Sequence, residues 1–352
     1  MPEVVDRPLA FGDRIVAWQR VHGRNTLPWQ HTRDPYRVWL SEVMLQQTQV
    51  ATVLGYYERF LQRFPDVLAL ASASIDDVFA LWSGLGYYSR ARNLHRCAKV
   101  VATDHGGRFP QTSGELMDLP GIGRSTAAAI AAFCFDERVA IFDGNVKRVL
   151  ARLLAFEGDL GEARAHRELW DRATDLLPAT DVARYTQGLM DLGATVCLAR
   201  SPHCLPCPAA DLCVAARTGT VERYPVKVRR LRRGTREHVW LWLAWRDRLW
   251  LTRRPEQGVW AGLWSLPELP SEAELDASSS EWPGKLEILS SFTHVLTHLD
   301  WTLHPRRWVV PARTSQARVD AMTGRWADGQ WFTRAEALAL GLPAPLRRLL
   351  SE

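Results

Sequence analysis

Cys197-Leu-Ala-Arg-Ser-Pro-His-Cys204-Leu-Pro-Cys207-Pro-Ala-Ala-Asp-Leu-Cys213 carries four cysteines with six, two and five residues between successive members. Sulfur at this density reads as a ligand set, suited to an iron-sulfur cluster or to tetrahedral zinc. Structural zinc more often takes its ligands as two separated pairs, so a single compact knot favours the cluster. Two plainer readings compete. Disulfides are disfavoured because the N-terminus, MPEVVDRPLAFGDRI, lacks the basic start and apolar run of a signal peptide. Unrelated buried thiols would not crowd into one segment.

Outward from this knot, the chain changes character near residue 236. A length of 352 residues is a prior for about two domains. The net charge of +5 lies wholly before Arg236, with 30 basic and 25 acidic residues there against 14 and 14 from Arg236 onward. A basic first part suits a polyanion partner. The first 235 residues hold 5 of the 16 tryptophans and alanine- and leucine-rich runs that predict helices, among them 126–133 and 146–155. From His238 onward come the other 11, in short aromatic and β-branched runs such as 239–245 and 307–310, broken by Gly and Pro as strands are. The proline-initiated basic stretch 225–234 lies between, as linker or as DNA contact. No stretch approaches the roughly 20 apolar residues of a membrane span, so a cytoplasmic protein is the simplest expectation.

Three further segments carry chemistry. Leu119-Pro-Gly121-Ile-Gly123 precedes an alanine-rich helix; two glycines in such a turn aim backbone N–H groups at a phosphate oxygen, although an ordinary turn between helices reads the same way. Twenty residues on, Asp143 ends the apolar run 139–142 and opens the helix Gly-Asn145-Val-Lys-Arg148, where it can cap that helix or serve as a functional carboxylate. Glu42 lies in 37–48, read as one helix with Glu42 on a face with Val38, Leu45 and Gln46. An acid flanked by that much apolar surface is desolvated, which raises its pKa toward the range of a general acid.

Together SEVMLQQTQV at 41–50, GLGYYSRARNLH at 84–95, LPGIGRSTA at 119–127, DGNVKRVLAR at 143–152 and the four cysteines resemble the adenine DNA glycosylases of the MutY type, in the helix-hairpin-helix superfamily that includes endonuclease III. The resemblance implies a mostly α helix-hairpin-helix glycosylase domain over 1–220 with a [4Fe-4S] cluster on Cys197, Cys204, Cys207 and Cys213, a basic linker over 221–237, and an α+β Nudix-like domain over 238–352. It implies a monomeric, nucleoid-associated enzyme with no membrane partner, acting on double-stranded DNA with adenine opposite 8-oxoguanine or guanine.

By the same resemblance Glu42 protonates the adenine, Asp143 stabilises the oxocarbenium-like sugar, Asn145 orients water or Asp143, and Gln187 contacts the adenine edge. Leu45, Gln47 and Tyr87 fill or wedge the stack when the base is flipped out, and Gly121 and Gly123 hold the DNA backbone. Ser125 stands where strand-cutting relatives carry a Schiff-base lysine, which implies a monofunctional glycosylase. Arg200 and His203 would meet DNA phosphates from the cysteine loop.

The segment 258–268, GVWAGLWSLPE, resembles the approach to a Nudix fold. Its hydrolase box is missing: 271–282 reads as a serine-rich loop with scattered acids, so this domain is expected to bind and not to hydrolyse. Phe292-Thr-His-Val-Leu-Thr297-His298 resembles the lesion-reading strand and loop, with Leu296-Thr297 where the family often has Phe-Ser. The weighed alternatives are an endonuclease III-like glycosylase for oxidised pyrimidines, opposed by Ser125 and the C-terminal domain; a non-catalytic, redox-sensing DNA-binding protein; and a Nudix hydrolase.

Overall fold

The computed structural model describes residues 10–226, 233–326 and 328–352. It divides into two compact units, one of Met1–Val53, Phe64–Ala71 and Arg96–Arg230, the other of Leu54–Arg63, Ser72–His95 and Leu231–Glu352. The helices in chain order are α1 (Phe11–His22), α2 (Pro35–Leu45), α3 (Val50–Arg63), α4 (Val67–Ser72), α5 (Ile75–Trp82), α6 (Tyr88–Asp104), α7 (Ser113–Leu116), α8 (Arg124–Phe135), α9 (Gly144–Leu153), α10 (Ala163–Asp175), α11 (Val182–Thr195) and α12 (Val214–Arg217).

In the first unit α8 runs through the middle of the core. Its Ala127, Ala128, Ala129, Ala131 and Ala132 are buried, and side chains of one carbon let α2, α7 and α11 pack against it closely. On α11, glycines do the same for α1 and α9. A Cβ on Gly188 would stand 2.7 Å from Ile15 Cγ2, and one on Gly193 would stand 2.6 Å from Asn145 Cβ and 3.1 Å from its Cα.

Three local expectations are corrected. The helix read over 37–48 ends at Leu45, because Gln47 takes a left-handed φ of 56°, and Gln46 therefore leaves the face that carries Glu42. The helix read to Ala155 ends at Leu153, with Ala155 at φ 46°. The segment 271–282 is not a loop: Glu272–Ser279 forms α13, started by the Ser271 side chain accepting from Glu274 N and held by buried Leu275. Most of the basic linker read over 225–234, residues 227–232, lies outside the described residues.

The second unit contains one mixed sheet of order β3-β2-β1-β7-β5, from β1 (Gly234–Trp245), β2 (Arg248–Arg253), β3 (Trp264–Ser265), β5 (Lys285–Ile288) and β7 (Leu299–Val310); β4 (Glu268–Leu269) pairs with β1, β6 (Phe292–Val295) with β7 and β8 (Gly329–Thr333) with β2. Strands β1 and β7 run parallel along their full length, and the other pairings are antiparallel.

The period of two sorts the tryptophan-rich strands between two cores. Val239, Leu241, Leu243 and Trp245 face α13 and α14 (Gln316–Thr323), through Leu275, Val319 and Met322. Trp240, Trp301 and Leu303 face α15 (Arg334–Leu338) and α16 (Ala344–Ser351), through Ala337, Leu346 and Leu350. The outcome is a helix-sheet-helix sandwich, the α+β architecture expected for this part. Glu272 and Glu274 of α13 are paired with Arg306 and Arg325, so these two acids neutralise arginines. Among the described residues no helix is long and apolar enough to cross a membrane.

Gly193→Val drives methyl groups into Asn145 and is expected to lower stability by about 1–3 kcal/mol. Gly114→Val, with open space at its Cβ, is expected to cost less than half of that. Urea denaturation with unchanged slope checks both.

Candidate functional site

The two carboxylates expected to act lie near the C-terminal end of α2 and at the start of α9. Helix α2 starts at Pro35, with the Asp34 side chain accepting from Tyr36 N at 3.0 Å, and buries Val38, Trp39, Val43 and Met44. This orientation turns Glu42 into a cavity of about 550 Å³ walled by Trp29, Gln30, Ser41, Phe133 and Gln187. The side chain is half-buried, and protein surrounds the carboxyl. Burial first, and the charge of Asp143 second, push its pKa up to about 7.

Asp143 is the N-cap of α9, its Oδ1 accepting from Val146 N at 2.7 Å. Capping and proximity to Glu42 therefore coexist in one carboxylate. Burial outweighs the rest and raises its pKa above the ordinary carboxylate value, while backbone N–H groups of Val146 and Asn145 and the cations Arg148 and Lys147 offset part of that rise. The two acids are unequal: only Asp143 has donors and cations that stabilise its charge. The Ser125 hydroxyl accepts from Phe142 N at 3.0 Å, fixing the backbone one residue before Asp143.

The cavity wall opposite is polar and ordered. Gln187, 8% exposed, donates through Nε2 to Asp191 Oδ1 at 2.8 Å. Asp191 is fully buried and also accepts from Arg24 Nε at 2.7 Å and Arg24 N at 3.0 Å. That bond uses one amide donor of Gln187 and fixes its side chain at the cavity wall. Sequence reasoning missed Gln30: its Nε2 and Oε1 are both buried without a hydrogen-bond partner, on the wall of this same cavity. Its only sequence signal is adjacency to Pro28-Trp29, which build the short turn that turns it inward.

The hairpin at 119–123 has the expected turn, Ile122 N donating to Leu119 O at 3.2 Å. Gly121, at φ 79°, needs to be glycine for its backbone; Gly123, at φ −85°, does not. Leu45 is the last residue of α2, and Gln47 is exposed beyond it with left-handed backbone.

From Asp143, α9 leads to the cysteine loop. Arg148 Nη2 donates to Asn145 Oδ1 at 2.8 Å and to Gly193 O at 2.5 Å, and its Nε donates to Cys197 O at 2.8 Å. Arg152 Nη1 donates to Cys197 Sγ at 3.4 Å. Neither arginine was singled out from the sequence, because only the fold turns them toward the loop. All six cysteines are free, so the disulfide reading falls. Cys197, Cys204, Cys207 and Cys213 line one cavity. Among the described residues no group of three or more His, Cys, Asp or Glu side chains closes tightly enough to hold a single metal ion. Burial, with the other three cysteines adding, pushes the Cys207 thiol up to about 11. Arg200 and His203 lie exposed on this loop, beside Leu205 at 99% exposure.

In the second unit, Tyr87 follows Gly84 and Gly86, both at positive φ, and itself takes φ 47° with 47% of its surface exposed. Its hydroxyl lies 3.1 Å from that of Thr297. Thr297 and exposed His298 form the turn between β6 and β7, closed by Leu296 N donating to Leu299 O at 2.8 Å. The fold thus joins two residues 210 positions apart, one expected to wedge the stack and the other to read the opposite base.

Comparison with known proteins agrees with this geometry. The family described as "HhH-GPD superfamily base excision DNA repair protein" matches residues 40–174, and "NUDIX domain" matches 238–352. The adenine DNA glycosylase of Buchnera aphidicola subsp. Baizongia pistaciae (strain Bp) is 33% identical over 348 residues, spanning 98% of this chain and 97% of its own. That of Homo sapiens is 43% identical over 215 residues, 58% of this chain and 39% of its own. Among solved structures, a thermostable thymine-DNA glycosylase matches with TM-score 0.53 and 29% identity over 59% of this chain and 95% of that one. A non-covalent endonuclease III-DNA complex shares the fold at TM-score 0.51 and 22% identity, over 59% of this chain and 94% of that one. With a helical glycosylase fold and relatives matched nearly end to end, the chain belongs to the adenine DNA glycosylases, enzymes of base excision DNA repair.

Proposed function

We propose that this enzyme hydrolyses the N-glycosidic bond of adenine opposite 8-oxoguanine or guanine in double-stranded DNA, with Glu42 as general acid and Asp143 as the charge that stabilises the oxocarbenium-like sugar. The observation that carries the reading is the inequality of the two acids. Glu42, raised to about 7, holds a proton near neutrality and delivers it to the base. Asp143 is also raised by burial, but the backbone N–H at the start of α9 and the cations Arg148 and Lys147 favour its charged form, the form that serves the sugar. Asn145 orients the attacking water or Asp143.

An adenine in this cavity presents a donor at N6 beside an acceptor ring nitrogen. Gln187 Oε1 suits the N6 donor. The unpartnered amide of Gln30 suits a donor-acceptor pair bidentately, so Gln30 joins the adenine-binding residues. Extrusion of the base costs a few kcal/mol, offset by Leu45, Gln47 and Tyr87 filling or wedging the stack. The hairpin at Gly121 and Gly123 holds a phosphate, and Thr297 and His298 read the opposite base. We assign 1–220 to the glycosylase domain, 221–237 to the linker and 238–352 to opposite-base recognition, in a monomer that works on the nucleoid.

We further assign a [4Fe-4S] cluster to the four cysteines. Single zinc bonds of about 2.3 Å would draw four sulfurs into close mutual contact, whereas four thiols spread around one cavity suit a larger core. Bound there, the cluster supplies structure to the loop; the bond-breaking groups are carboxylates elsewhere.

The single-turnover rate on adenine opposite 8-oxoguanine is expected to fall as pH rises through about 7, where Glu42 gives up its proton. Glu42→Gln removes that fall, slows release at least 100-fold and leaves duplex affinity within a few-fold. Folding stability has the same sign: the raised carboxyl favours the folded state fully below its ordinary value of 4.5 and loses this as pH rises toward about 7. Full base release by Glu42→Gln would instead support a non-catalytic DNA-binding protein, and a preference for duplexes with oxidised thymine would support an endonuclease III-like specificity.

Gln30→Leu is expected to lower kcat/KM on the same duplex by about 10- to 100-fold without moving the pH profile. Ser125 carries no amine, so base release is expected to outpace strand scission; a gel showing scission in step with adenine release would count against the monofunctional assignment.

A further inference from the structure

Arg152 is 2% exposed, and each of the three nitrogens of its guanidinium donates a hydrogen bond. Nε donates to Val221 O at 3.2 Å and Tyr224 O at 3.1 Å, Nη1 to Leu198 O at 2.6 Å and Cys197 Sγ at 3.4 Å, and Nη2 to Ala199 O at 3.2 Å. In return its backbone carbonyl accepts from Cys213 Sγ at 3.3 Å. Among the described residues no carboxylate pairs with it. Carbonyl dipoles solvate a cation but do not cancel its charge, and a guanidinium this deep is costly without an anion. The groups beside it able to carry negative charge are thiols, two of which touch it. A thiolate-bound cluster is anionic, and hydrogen bonds and charge at its sulfurs set its potential and its retention.

The structure assigns Arg152 as the built-in counter-charge of the four-cysteine site. This rests on the reading of the loop as a cluster site and deepens it. The guanidinium has two tasks. Its charge offsets that of the thiolates through Cys197, and its fork ties the backbone at 198–199 to that at 221–224, clamping the two ends of the loop before any metal arrives. The loop's own basic residues, Arg200 and His203, are exposed and remain free for other work.

The test uses the full-length protein as purified, with Arg152→Gln, which keeps an N–H donor without charge, Arg152→Lys, which keeps charge without the fork, and Arg167→Gln on the exposed face of α10 as reference. Iron per protein, the rate of bleaching near 400 nm under chelator, and the reduction potential by spectroelectrochemistry are read for each. Arg152→Gln is expected to bleach about tenfold faster with its potential shifted negative, because a lost positive charge disfavours the extra electron. Arg152→Lys is expected to bleach faster at a potential near that of the parent, since only the clamp is gone. Iron content, bleaching rate and potential all unchanged in Arg152→Gln would overturn the assignment. If Arg152→Gln does not fold, Arg152→Lys decides alone: bleaching at the parental rate overturns it. A parent that carries zinc and no iron sinks the cluster reading instead, and zinc loss to chelator in the same variants then judges the counter-charge separately.

Discussion

The bond from Val146 N to the Asp143 carboxylate, 2.7 Å long, organises the first unit. It begins α9 and thereby sets the direction of everything that helix carries. Asp143 is held at the end where amide donors converge, next to Glu42, while Arg148 and Arg152 point one and two turns further along to the cysteine loop. A capping bond contributes only about 1 kcal/mol to stability. Its larger consequence is geometric, since a helix that began one residue later would rotate each of these side chains by about 100°.

Burial of charge is the second theme, and it is handled by pairing. Asp191, fully buried, is offset by Arg24 and by the amide of Gln187. Arg148 is taken up by carbonyls of Gly193 and Cys197 and by Asn145. Glu42 differs, because its charged neighbour is a second carboxylate and burial favours its protonated form. An unpartnered acid amid partnered charges is costly for folding and useful for proton transfer, which is why it stands out.

The second unit reaches order by another route. Tryptophans alternate across β1 and β7 into two cores, one under α13 and α14, the other under α15 and α16. Acids of α13 that a metal-dependent hydrolase would leave facing an ion are bound to arginines here. The same unit contains Tyr87, on strained backbone, with its hydroxyl against Thr297. That bond ties the loop of Tyr87 to the turn between β6 and β7, which fits the proposed reading of the base opposite adenine.

Spacing and residue type made the two-part fold, the clustering of four cysteines, the apolar flanks of Glu42, the place of Asp143 at a helix start and the alternating strands legible in the sequence alone, because each depends on short-range periodicity or on clustered chemistry. The ends of α2 and α9 were misjudged, since a left-handed residue such as Gln47 or Ala155 stops a helix without a glycine to announce it. The serine-rich 271–282 was misjudged because burial of Leu275 overrides weak helix propensity. Only the tertiary structure decided that Glu42 faces a cavity with Gln30 and Gln187, that Arg148 and Arg152 serve the cysteines, and that Tyr87 meets Thr297. Those facts depend on contacts across 12 to 210 residues, and desolvation and pairing at such separations have no signature in local pattern.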